Sequence, residues 1–118
     1  MEDVEDLIIY KQYLELIYYV ETITEKYPKS VKLSLVTEIK SNTYEGIKNI
    51  LIAYKEYDIK NKLASLNRLD VNLKMQKILI RVSYKKKYIS IKNYYAWSKK
   101  LSNIENLLGS WINKCQKQ

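Results

Sequence analysis

"DIKNKLASLNRLDVNLKMQKILIRVSYKKKY", Asp58 to Tyr88, decides how the rest of the chain is read. Leu63, Leu66, Leu69, Leu73 and Ile80 recur at helical spacing, and Asp58 is a good N-cap for the helix they define. Projected at about 100° per residue, Asp70, Lys74, Lys77, Arg81 and Lys85 fall within an arc of about 80°. Leu66, Leu69, Leu73, Ile80 and Tyr84 lie on one side of that arc. Val71, Met75, Ile78 and Val82 lie on the other. A helix that packs once shows one apolar stripe. This helix shows two, parted by a basic ridge. One stripe serves a core and the second asks for another partner, which homo-oligomerisation supplies most simply. A wider core flanked by snorkelling lysine stems is the bland alternative.

Three more segments of the same kind surround it. The first covers roughly residues 4–26, with Val4, Leu7, Leu14, Ile17 and Tyr18 near helical spacing and carboxylates at its positive end. "YPKS" breaks it, and Ser30 is a candidate N-cap for a second helix over 30–57. Leu33, Val36, Ile39, Ile47, Ile50 and Tyr54 mark that helix, and Gly46 inside it suggests a close helix–helix approach. The third spans 59–86. Ser90 caps a fourth over 90–115, with Ile91, Tyr94, Ser98, Leu101, Leu108 and Cys115 in a 3–4 pattern and Trp97 and Trp111 as anchors. Only two Gly and one Pro occur in 118 residues, too few for the turns of a sheet protein. Helices of this length joined by short turns are antiparallel neighbours. The expected fold is all-α: a single domain over 1–118, an up-down-up-down four-helix bundle.

Charge is unevenly spread. Through Tyr27 seven carboxylates face Lys11 and Lys26, a net −5, so the remainder carries +13 of a total of +8. AT-rich codons would enrich Lys, Tyr, Ile and Asn, but they do not predict that asymmetry. Lys74, Lys77, Arg81, Lys85, Lys86 and Lys87, with Lys92 nearby, form the candidate nucleic-acid-binding set, suited to phosphates rather than to base edges. Arg81 has two options, a bidentate phosphate contact or a pair with Asp70. Tyr84 and Tyr88 flank the lysine run and are the stacking candidates, whereas Tyr10, Tyr18, Tyr54 and Tyr94 read as core or its rim.

Catalytic chemistry has little to work with. There is no His, the acid cluster lies at the amino terminus, and no Gly-rich phosphate loop or nucleophile elbow occurs. Cys115 alone supports neither a disulfide nor a zinc site and reads as a small core residue. No catalytic residue, metal or cofactor is expected. The acidic opening "MEDVEDLIIY" is unlike a signal peptide, and no apolar run reaches a membrane span, so a cytoplasmic protein without a membrane partner is expected.

Four stretches together carry a resemblance: "YPKS", "LVTEIKSNTYEGIKNILIAYKEY", "NRLDVNLKMQKILIRVSYKKKYISIKNYYAW" and "NIENLLGSWINKC". They resemble the Avd family, the accessory variability determinants of diversity-generating retroelements. The family's usual "LGGW" ending is "LGSW" here, with Ser110 in place of the second glycine. The four-helix proteins of ribosomal-RNA intervening sequences are more distant kin, and their Asn-Ile-Ala-Glu-Gly signature is missing. The resemblance implies a homopentameric barrel of four-helix protomers. It also implies binding to RNA, to DNA and to the retroelement reverse transcriptase in support of mutagenic retrohoming, without polymerase activity of its own. On this reading Val71, Met75, Ile78 and Val82 are the candidate oligomer interface. The rivals are an intervening-sequence-type protein and a structural oligomer that binds protein alone.

Overall fold

Local caps and one proline set where the helices begin and end. In the computed structural model, which describes residues 3–117, the helices are α1 (Ile8–Thr24), α2 (Leu35–Lys55), α3 (Ile59–Lys85) and α4 (Ile91–Gln116). Short 3-10 turns occupy Val4–Asp6 and Lys29–Val31, and none of the described residues forms a strand. The Asp58 carboxylate accepts the Asn61 N–H at 3.1 Å, and the Ser90 hydroxyl accepts the Asn93 N–H at 3.1 Å. Each satisfies an amide that has no partner within its own helix.

Two boundaries differ from the sequence expectation. Residues 4–6 form a separate turn, and Leu7 is extended before α1 starts at Ile8. The second helix begins at Leu35, not at Ser30. The Lys32 ammonium donates to the carbonyls of Thr24, at 2.7 Å, and Glu25, at 2.9 Å, closing the end of α1. That tertiary bond holds Lys29–Val31 as a turn, leaving Ser34 at the N-cap position without a side-chain cap.

Tyr13, Leu16, Ile39, Ile50, Leu66, Leu69, Leu73, Ile80, Trp97, Leu101, Ile104 and Leu108 form the fully buried centre, and Cys115 is buried with them. The helices touch in a ring, α1 with α2, α2 with α3, α3 with α4 and α4 with α1. Three expected core positions are exposed instead. Tyr18 follows Ile17 by one residue, about 100° around α1 and off the face. Leu33 lies in the turn before α2, and Ile91 opens α4 on its outer side.

A polar layer crosses the middle of this core. Tyr13 donates its hydroxyl to the Thr43 carbonyl at 2.6 Å. Gln76 donates to the Tyr13 hydroxyl at 3.0 Å and to Asn72 Oδ1 at 2.9 Å. Gly46 lies against this layer, in the close approach its sequence position suggested.

Candidate nucleic-acid interface

From Val71 to Ile104 the chain carries nine Lys and Arg and no Asp or Glu. Folding lays the second half of α3 against the first half of α4, so this acid-free stretch lines both banks of one seam. Tyr84 and Tyr94 stack across the seam with centroids 4.9 Å apart, and Lys77 reaches Ser102 on α4 at 3.3 Å. The carboxylates that bound the stretch, Asp70 and Glu105, meet at one level. Lys74 bonds Asp70 at 2.6 Å and lies 3.8 Å from Glu105, while Lys77 pairs with Glu105. The Asp70 hydrogen bond, helped by the charge of Glu105, holds the Lys74 ammonium above its ordinary pKa. These contacts place a neutral border at the end of the acid-free stretch.

The candidate cations therefore divide. Lys74 and Lys77 are engaged within the protein. Arg81, Lys85, Lys86, Lys87 and Lys92 are exposed, and no carboxylate among the described residues pairs with them. The offered Arg81–Asp70 pair does not form, because Asp70 is bound to Lys74. Lys99, which sequence reasoning passed over, is a sixth exposed cation of the same face without an ion pair there. Lys100 instead lies over the Tyr19 ring, 5.2 Å from its centroid.

Lys87 is held in an unusual conformation. Its φ is 65°, the left-handed region that glycine favours. Its amide donates to the Tyr84 carbonyl and that of Tyr88 to the Ser83 carbonyl, each at 2.9 Å, the double bond pattern that ends a helix at a left-handed residue. A lysine thus occupies a position where the backbone would prefer glycine.

The expected stacking tyrosines are occupied. Tyr84 is half-buried with one face on Tyr94, and Tyr88 packs against Tyr27 at 5.6 Å. That second contact ties the α3–α4 turn to the turn after α1. On the outer face of α3, Val71, Ile78, Val82 and Met75 are exposed at 67%, 52%, 40% and 37%. The second apolar stripe is therefore uncovered in the protomer.

An all-α, four-helix chain with an acid-free basic face and an uncovered apolar stripe defines the class: a basic helical bundle with no strand among the described residues. A family model described as bAvd-like matches residues 7–115, and the chain belongs to that family. Membership marks it as an Avd-type accessory protein of retroelements, a non-catalytic kind of protein. No curated protein matches the chain. Among the described residues no helix is long and apolar enough to cross a membrane.

Proposed function

We propose that this chain is a non-enzymatic, nucleic-acid-binding accessory subunit of a diversity-generating retroelement, acting in the cytoplasm. It would bind the reverse transcriptase together with template RNA and cDNA, and so support mutagenic retrohoming. One observation carries the nucleic-acid part: the stretch without carboxylates, folded along both banks of one seam with six cations that have no ion pair among the described residues. Like charges crowded on a helix repel one another at i,i+4 spacing, and a polyanion relieves that repulsion. The polymerase partner rests on family membership.

We also propose that the protomer is an up-down-up-down antiparallel bundle. In support, contacts across the α3–α4 seam pass from Tyr84–Tyr94 through Lys77–Ser102 to Lys74–Glu105, α4 numbers rising as α3 numbers fall. Several protomers then associate through Val71, Met75, Ile78 and Val82, in a ring of five if the Avd resemblance extends to assembly.

The test replaces Arg81, Lys85 and Lys92 together with Gln, which keeps helix propensity near constant. RNA affinity is expected to weaken for every sequence tried, and the slope of log K against log salt to shrink by about two to three units. Unchanged affinity in a folded triple variant would return this face to an ordinary solvated surface.

A further inference from the structure

Tyr95 is the aromatic residue that the acid-free face leaves open. It is 66% exposed on α4, and its ring is 6.0 Å from Tyr94, which in turn stacks on Tyr84. Lys92, three residues before it, and Lys99, four residues after it, share its side of the helix. The register that sets Lys77 beside Ser102 and Tyr84 beside Tyr94 brings Arg81 level with the turn of α4 that carries Tyr95. The seam thus has cations along its α3 bank, an exposed ring on its α4 bank and further cations beyond.

Other exposed tyrosines lack this setting. Tyr44 gives its hydroxyl to Glu21 at 2.5 Å. Tyr57, 89% exposed, stands between Glu56 and Asp58, and Tyr18 is on the acidic first helix between Glu15 and Glu21. Carboxylates at those places would repel a phosphate chain. Only at Tyr95 do an available ring and uncompensated cations coincide among these four.

From this coincidence we infer that the α3–α4 seam takes single-stranded nucleic acid, with Tyr95 stacking on a base while Arg81, Lys85, Lys92 and Lys99 meet the flanking phosphates. The inference rests on the nucleic-acid reading above and narrows it. A paired base buries both faces in the duplex, whereas an unpaired base can offer one to an aromatic ring. Every base has such a face, so binding is tolerant of sequence.

The experiment measures fluorescence anisotropy of a labelled single-stranded oligonucleotide and of a duplex of equal length, with the full chain as wild type, Tyr95→Phe and Tyr95→Ala. Light scattering of each variant accompanies it. Tyr95→Ala should weaken single-strand binding about tenfold, leaving the salt slope, the duplex affinity and the assembly mass unchanged. Tyr95→Phe, which keeps the ring, should bind as wild type does. Equal affinity of wild type and Tyr95→Ala for the single strand would overturn the stacking role while leaving nucleic-acid binding itself standing. A lower assembly mass in Tyr95→Ala would overturn it too, by making Tyr95 a protein contact. Failure of the wild type to bind either oligonucleotide would overturn both this inference and the reading beneath it.

Discussion

A Cβ built on Gly46 would lie 1.8 Å from the Tyr13 hydroxyl oxygen and 2.9 Å from Asn72 Oδ1. Tyr13 is fully buried and bonded to Thr43 and Gln76, so it has no free space into which to retreat. Gly46→Ala is expected to destabilise the fold by about 1–3 kcal/mol despite alanine's better helix propensity. Tyr13→Phe in the same background should recover part of the loss, since the ring carbon, at 2.5 Å, still crowds the added methyl. Urea unfolding of the two single variants and the double variant reads the coupling. Additive losses would show that the contact is not the cause.

Glu105 acts as the inward partner of two cations. Glu105→Gln should release Lys77 and loosen Lys74, which keeps Asp70. RNA affinity should rise and the salt slope steepen by about one unit. The stability cost should stay below about 1 kcal/mol, because the pair is partly solvated. An unaltered slope would place the anion site away from this border.

Position 87 separates backbone preference from charge. Lys87→Gly removes the left-handed strain and should stabilise the protein by about 1 kcal/mol. Lys87→Ala keeps the Cβ and should bring no such gain. Both should lose the same amount of RNA affinity. A stability gain shared by the two variants would implicate charge repulsion and not the dihedral.

Ile78 is at the centre of the uncovered stripe on α3. Ile78→Lys should leave the protomer folded and lower the mass seen by light scattering, because its side chain takes no part in the buried core. A wild-type monomer at micromolar concentration would end the interface assignment.

Alkaline pH should reveal Tyr27. Burial pushes its pKa up to about 12, an effect that the nearby Ser83 hydroxyl partly offsets. In the unfolded chain the same group titrates near 10. The native state therefore keeps a proton that the unfolded state releases. Its contribution is fully present below about 10 and is lost as pH rises through about 12. Tyr27→Phe should flatten that decline in urea unfolding followed across alkaline pH. Parallel curves for the two proteins would assign the decline to other groups, Tyr13 among them.

Where a feature depended on its own helix, the sequence made it legible. Asp58 and Ser90 cap as their positions suggested, and on α3 both the buried Leu66, Leu69, Leu73 and Ile80 and the uncovered Val71, Met75, Ile78 and Val82 follow the projection. What depended on a neighbouring helix was hidden. Lys77 looks as free as Arg81 until α4 brings Glu105 beside it. The start of α2 is set by Lys32 reaching back to α1. Tyr84 and Tyr88 adjoin the lysines in sequence, but Tyr84 has one face stacked on Tyr94 and Tyr88 packs at a tilt against Tyr27. The gap in carboxylates between Asp70 and Glu105 was a visible signal for the whole face, including Lys99 and Tyr95.

The border formed by Asp70, Lys74, Lys77 and Glu105 is a neutral patch within α3 and α4 sequence that is cationic on both sides of it. Lys60, Lys62, Arg68 and Lys114 lie towards one end and Arg81, Lys85, Lys86, Lys87, Lys92 and Lys99 towards the other, while the segment through Tyr27 is net −5. A molecule charged in this way does not approach a polyanion at random. The field turns it on the way in, so that α3 and the α3–α4 turn lead and the acidic amino-terminal segment, across the ring from α3, trails. Much of the search for the correct pose is then complete at encounter, before any side chain touches a phosphate. Added salt would slow arrival chiefly by erasing this alignment.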